Sequence, residues 1–263
     1  NGETDAAYEA LLPLLQDGLT TTSWGTSLFL IAGCFDGEMH ANPKDLAATN
    51  GVSAQNWGGN RARPDLIRKF FPQNDAPELP SYDMYVAAKD DRALFDGVGR
   101  TLNNEDVSTF KSGYAIAKFT NFKTDGSAGH DATFADTDYF LLRVAEAYLT
   151  FAEADARLNG GKTTSEGTQA INDIRSRANA STRENSAYSL DDICDEWSRE
   201  FYFEGRRRMD LIRFNRYGGN NNYIWQWKGG AYEGRSFDAH LNIFAIPTNE
   251  LTANSNLVQN PGY

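Results

Sequence analysis

"REFYFEGRRRMDLIRF", Arg199 to Phe214, sets five arginines and four aromatic rings in one short run. Laid on a helix of about 3.6 residues per turn, Ile193, Trp197, Phe201, Glu204, Arg208 and Leu211 share one face. That face is apolar at both ends and charged in the middle. A charge held among apolar side chains needs a partner, because removing the partner leaves a buried charge uncompensated. Glu204 and Arg208 stand four residues apart, as do Arg206 and Asp210, while Asp210 and Arg213 stand three apart. The run reads as the inside of a fold, an ion-pair lattice tying helices together. A catalytic acid–base cluster and an anion-binding patch are the competing readings.

The partners are expected upstream. "DYFLLRVAEAYLTFAEADARL" (Asp138–Leu158) places Leu142, Ala145, Leu149, Ala152 and Ala156 at helical spacing. Leu141, Val144, Tyr148, Phe151 and Leu158 form a second stripe. Two stripes on one helix mean burial on two sides, as in stacked helical hairpins. Arg143 and Glu146 lie beside these stripes, so Glu204 and Arg208 are expected to be buried against one or the other. Asn159-Gly160-Gly161 ends the helix. Thr163-x-x-Glu166 has the form of a capping box and opens a helix with Ile171, Ile174 and Ala178 on one face. Ser189-x-x-Asp192 is a second cap and predicts a long helix running to about Phe214. Helix, short turn and helix with small contact residues is a tetratricopeptide-like texture, although no clean 34-residue period can be read.

On either side the texture is irregular. Residues 1–136 are loop-rich, with a helix expected over Ala6–Leu15 and a long loop "NPKDLAATNGVSAQNWGGNRARP" (Asn42–Pro64). Loops of that length usually carry function or are disordered. Residues 137–216 form the helical core, and residues 217–263 close the same domain. "NIFAIPTNELTANSNLVQNPGY" (Asn242–Tyr263) joins a core-seeking start and a Pro247 turn to a tail whose Asn side chains make turns. The predicted class is mostly α, helical hairpins beside an irregular, loop-rich part.

A chain of 263 residues can bury a sizeable core. Its formal charge of −11 argues against nucleic acid or an anionic membrane as a general partner. No apolar run approaches the roughly 18 residues that span a bilayer. The start, Asn1-Gly2-Glu3, has neither Met nor signal peptide and suggests a processed chain or a fragment. Cys34 and Cys194 make no framework, and His40, His130 and His240 make no metal cluster. Phosphate-binding glycine loops and a nucleophile elbow are absent from the sequence, so no cofactor is expected.

Four blocks together resemble the SusD/RagB family: "DTDYFLLRVAEAYLTFAEA" (Asp136–Ala154), "AINDIRSRANA" (Ala170–Ala180), "DEWSREFYFEGRRRMDLIRF" (Asp195–Phe214) and "IPTNELTANSNLVQNPGY" (Ile246–Tyr263). They occur in family order and span nearly half the chain. "NWGGNRARPDLIRKFFP" (Asn56–Pro72) and "YIWQWKGGAYEG" (Tyr223–Gly234) look closest to the starch-type branch. The resemblance implies a mostly helical, non-enzymatic, glycan-binding lipoprotein on the outer face of a Gram-negative outer membrane. Such proteins cap a SusC-like TonB-dependent transporter and capture oligosaccharides for import. The lipidated cysteine and most repeat helices of the family would lie upstream, which makes this chain resemble a C-terminal portion.

The matching blocks hold no ligand motif, so site candidates come from chemistry. A neutral sugar offers C–H faces to aromatic rings and vicinal hydroxyls to paired hydrogen-bonding groups. Trp57 beside Asn56, Asn60 and Arg61 has that mixture, Trp24 sits in a similar polar setting, and Tyr8 is a third platform. Either Trp could instead plug an interface between loops and helices. Trp225 and Trp227, alternating with Tyr223 at strand-like spacing, read as structural. A glycoside hydrolase would need two carboxylates about 5–5.5 or 6.5–9.5 Å apart. Asp36 with Glu38, or Asp131 with Asp136, are the nearest pairs, and neither sits in a recognisable frame. A helical protein-interaction module is the third reading. The Asp-rich stretch Thr124–Asp138 lacks calcium-loop spacing and reads as a solvated loop.

Overall fold

The computed structural model describes residues 61–73, 76–109, 111–118, 127 and 142–263. The helix expected over Ala6–Leu15, the pairs Asp36/Glu38 and Asp131/Asp136, and nearly all of Thr124–Asp138 lie outside them. Backbone contacts divide the chain into two compact units, Asn1–Glu204 and Gly205–Tyr263. The described residues are mostly helical, with one small sheet.

In the first unit, α1 (Pro64–Phe70) starts on a proline, whose fixed φ suits a first helical position where an N–H has no partner anyway. Asp65 in its first turn and Arg68 and Lys69 in its last complement the helix dipole. α2 (Ser81–Ala88) stops where Lys89 turns left-handed. β1 (Phe95–Asp96) and β2 (Ala115–Ile116) pair antiparallel, Phe95 opposite Ile116. Ile67, Phe70, Met84, Phe95, Tyr114 and Tyr202 fill the core between these elements. Phe70 meets Phe95 edge-on at 5.5 Å, and Phe95 lies 5.0 Å from Tyr202. The buried phenol of Tyr202 donates to the Arg92 carbonyl at 2.8 Å, which gives its polar end the partner that an apolar site demands.

The helical hairpins follow. α3 (Val144–Leu158) begins six residues later than the apolar spacing predicts, with Arg143 extended at its N-cap. Leu142 therefore precedes the helix and is 77% exposed, outside the stripe assigned to it. Ala145, Leu149, Ala152 and Ala156 are buried as expected. The second stripe is weaker: Tyr148 is buried, Val144 and Phe151 are half-buried, and Leu158 is exposed. α4 (Ser165–Arg177) is capped by Thr164, not Thr163, with its side chain accepting from the Gly167 N–H. Thr163 is used elsewhere: its hydroxyl accepts the Tyr188 N–H at 2.9 Å and bonds Thr168 at 2.7 Å. Ile171, Ile174 and Ala178 face inward.

α5 (Leu190–Phe201) has the full capping box, Ser189 and Asp192 satisfying each other's backbone N–H groups. It does not run on to Phe214. The chain leaves the helix at Tyr202 (φ −60, ψ 144), and Phe203 and Gly205 take left-handed φ values of 62 and 71. α6 (Arg207–Arg213) is a separate, short helix. α3 packs against both α4 and α5, and α1 also meets α5.

The second unit contains α6, two 3-10 turns (Lys228–Gly230 and Ala239–Asn242) and α7 (Thr248–Ala253). Tyr223–Trp227 is not a strand but irregular chain that ends in a turn at Gln226–Trp227, with Trp227 itself left-handed at φ 67. Trp225 is nevertheless buried, stacked 6.0 Å from Tyr217. Lys228 is buried among these rings, and its Nζ donates to the carbonyls of Arg216 and Tyr223 and to Asn221 Oδ1 at 2.6–3.1 Å. Three oxygens and the Trp225 face at 4.5 Å replace its lost hydration. The tail is fixed by polar side chains as its composition suggests: Gln259 exchanges two hydrogen bonds with the Ile246 backbone, and Asn260 Nδ2 donates to the Phe244 carbonyl. The start expected to seek the core does not: Ile243 is 57% and Phe244 73% exposed. Among the described residues, no helix is long and apolar enough to cross a membrane.

Candidate functional site

The charged centre of the first unit is built on three glutamates, Glu196, Glu200 and Glu204, four residues apart. Glu196 and Glu200 project from α5, and the break after Phe201 brings Glu204 back to the same group of cations. Glu196 accepts from Arg92, Arg175 and Arg199 at 2.7–2.8 Å. Glu200 accepts from Arg92 at 3.0 Å, Arg143 at 2.5 Å and Arg177 at 2.7 Å. Glu204 accepts from Arg143 at 2.7 and 2.8 Å and from Lys118 at 2.5 Å. Arg143 also lies 3.8 Å over the Phe201 ring.

Burial opposes the charge on Glu196, yet Arg92, Arg199 and Arg175 hold its carboxyl well below the usual range. Glu200 is held down in the same way by Arg143, Arg177 and Arg92, and Glu204 by Lys118 and Arg143. Burial pushes the Lys118 ammonium down to about 8 despite the pull of Glu204. An acid–base catalyst needs a carboxyl poised near the working pH and open to a substrate. These three are locked in the ionised form, so the cluster is a structural lattice.

The structure corrects one member of the expected lattice. Arg143 and Glu204 meet as predicted, and Glu146 stands half-buried in the first turn of α3. Arg208 belongs to the second unit, where its Nη2 donates to the carbonyls of Leu241 at 3.1 Å and Asn242 at 2.9 Å. The helical break at Tyr202–Arg206 removes the i, i+4 relation on which a Glu204–Arg208 pair depended. Glu196 and Glu200, the most heavily paired carboxylates, went unread in the sequence. Their signal was the four-residue repeat ending at Glu204, on a helix whose Ile193, Trp197 and Phe201 are buried.

Of the sugar-site candidates, Trp57, Trp24, Tyr8, Asn56 and Asn60 lie outside the described residues. Arg61 donates to the carbonyls of Thr109 and Val107, the latter at 3.2 Å, so its guanidinium clamps a loop.

In the second unit an open cleft of about 750 Å³ is lined by Arg208, Tyr217, Arg235, Phe237, Phe244 and Tyr263, among others. Arg208 lies 4.2 Å over Phe244 and 5.0 Å over Tyr217. Arg235 donates from Nε to the Gly229 carbonyl at 3.0 Å. Rings and fixed hydrogen-bond donors around a concave surface are the general composition of a small-molecule site.

The family model for the SusD family matches residues 91–263. The starch-binding protein SusD of Bacteroides thetaiotaomicron is 38% identical over 290 residues, covering 98% of this chain and 50% of that protein. The chain therefore spans about half the length of the curated relative it matches. Among solved structures, a surface glycan-binding protein A from Bacteroides uniformis matches with a TM-score of 0.54 at 19% identity, covering 98% of this chain and 57% of that one. A SusD-like protein from Bacteroides fragilis matches with a TM-score of 0.54 at 19% identity, over 88% of this chain and 51% of that one. These two likenesses establish the fold.

Proposed function

The chain belongs to the SusD family, and from that premise we propose that it binds oligosaccharides of the α-glucan type without transforming them. The observation that carries this reading is the 38% identity, along nearly the whole chain, to a protein whose name is starch-binding. The setting is the outer face of an outer membrane, on a lipid-anchored protein, with a SusC-like TonB-dependent transporter as the partner for import. The ionic centre supports a binding rather than a hydrolytic role, since Glu196, Glu200 and Glu204 are each saturated by cations and unable to accept or deliver a proton to a glycosidic oxygen.

Recognition would fall to Trp57, Trp24 and Tyr8 as stacking platforms, with Asn56, Asn60 and Arg61 supplying or positioning hydrogen bonds. A glucan helix is curved, so two or three rings set in an arc follow it better than one. Such shallow, wet sites give Kd values on the order of 10 μM to 1 mM, about −7 to −4 kcal/mol. Calorimetry with maltoheptaose on the wild type, Trp24→Ala and Trp57→Ala tests the assignment. Loss of one stacked ring removes roughly 1–2 kcal/mol and weakens binding severalfold to about thirtyfold. Unchanged affinity in both variants would make these tryptophans interior plugs. Release of reducing sugar that vanished on mutating Asp36 or Glu38 would make the protein a hydrolase instead.

A further inference from the structure

Residues 205–263 carry seven Lys and Arg against four Asp and Glu, a local charge of +3 in a chain whose total is −11. Within this unit Asp210 takes Arg206 and Arg213, and Asp238 takes His240. Arg208 and Arg235 are left lining the cleft without a carboxylate among the described residues. Each is anchored on one side. Arg208 spends its Nη2 on two carbonyls and lies over two rings, while Arg235 spends its Nε on Gly229. The remaining N–H groups, Nε and Nη1 of Arg208 and both Nη of Arg235, make no hydrogen bond to a described residue. Arg235, held at Nε, keeps its Nη1/Nη2 edge open to receive a carboxylate as a fork at little further entropic cost. Arg208, held at Nη2, offers single N–H donors and its charge beside it. Around them, Phe244 and Tyr263 present exposed ring surface, 73% and 47% accessible. Tyr217 and Phe237 form the wall behind, 5.0 Å apart and edge to face.

We propose that this cleft is a second ligand site that takes a carboxylate-bearing pyranose, the chemistry of a hexuronic acid, with its carboxylate on Arg208 and Arg235 and a C–H face against the exposed rings. An anion that approaches a chain of net charge −11 needs such a local positive field to be held. The volume, about 750 Å³, suits one or two sugar rings. The site is independent of the α-glucan reading, since all its residues lie within 205–263.

Calorimetric or NMR titration of the full chain with sodium glucuronate tests it, with methyl glucoside as the uncharged ring and acetate as the carboxylate without a ring. Glucuronate is expected to bind with a Kd on the order of 1 mM, and both controls at least about tenfold more weakly. Raising NaCl from about 0.05 to 0.5 M should weaken glucuronate binding, because the charges are solvent-reached. Arg208→Gln and Arg235→Gln should each weaken it by about tenfold or more. Arg235 is exposed and gives up one carbonyl bond, so that variant decides the matter if Arg208→Gln fails to fold. Maltoheptaose affinity should be unaltered in Arg235→Gln, which separates this site from the tryptophan platforms. Glucuronate binding no tighter than either control, or unaltered in Arg235→Gln, overturns the proposal.

Discussion

The two arginines that the sequence placed on equal terms, Arg143 and Arg208, have different work to do. Arg143 supplies four hydrogen bonds to Glu200 and Glu204, whose side chains are 2% and 5% exposed. Truncating it leaves two buried carboxylates with fewer cations, the situation that costs about 3–5 kcal/mol. Arg208 donates to two carbonyls at a partly exposed position and covers two rings. Its loss removes hydrogen bonds and a cation–π contact but strands no carboxylate, at about 1–2 kcal/mol. Urea denaturation should therefore place Arg143→Ala well below Arg208→Ala in midpoint, and equal midpoints would refute the distinction. Sequence reasoning found Arg143 and Glu204 because a charge beside an apolar stripe demands a partner. It chose Arg208 wrongly because that pairing assumed one unbroken helix, and it passed over Glu196 and Glu200 because most of their partners come from other elements of the fold. Arg92, for instance, joins Glu196 from 104 residues upstream.

Elements were legible where their signals are local. The Ser189 capping box, the Asn159-Gly160-Gly161 stop and the Ile171, Ile174 and Ala178 face all stand as the residues suggested. The break at Tyr202–Arg206 was hidden, since the apolar spacing continues through it and one glycine is a weak stop signal. What ends α5 there is tertiary: Tyr202 reaches the Arg92 carbonyl and Glu204 reaches Lys118 and Arg143. The turn between α3 and α4 has a sharper requirement. Asp155 receives the Thr164 N–H at 2.6 Å and its hydroxyl at 3.0 Å, which ties the end of one helix to the start of the next. A Cβ on Gly167 would lie 2.1 Å from that carboxylate. Gly167→Ala must push Asp155 off Thr164, so it should destabilise by about 1–3 kcal/mol despite alanine's better helix propensity. Thermal melting checks this, and a variant as stable as the wild type would mean that the Asp155 bridge contributes nothing.

At the scale of the whole molecule, the helical architecture and its membership were written in the second half of the sequence, where periodicity is strong. The proposed sugar platforms fall where the sequence has no strong period, so chemistry suggests residues but no pattern fixes their neighbours. The ionic centre makes its own prediction for the chain as a whole. Glu196, Glu200 and Glu204 have folded pKa values below the ordinary 4.5, because the arginine and lysine charges outweigh burial. A carboxyl depressed in the folded state contributes stability that is complete above its unfolded pKa and fades as pH falls towards its folded one. Below about pH 4.5 the unfolded chain binds protons that the folded lattice refuses, so stability falls as the pH is lowered. Lys118 acts with the same sense in a different window. Its folded value of about 8 lies below the ordinary 10.5, so between those values the unfolded chain binds more protons and this group alone makes stability rise with pH. Around pH 5 to 7 neither group titrates, and stability should be level there as far as the lattice determines it. Urea midpoints measured from pH 7 to pH 3 should hold to about pH 5 and then drop steeply. In Glu200→Gln the starting midpoint should be lower and the drop shallower, because one of the depressed carboxyls is gone. An acid slope as steep in Glu200→Gln as in the wild type would locate the acid sensitivity outside this lattice.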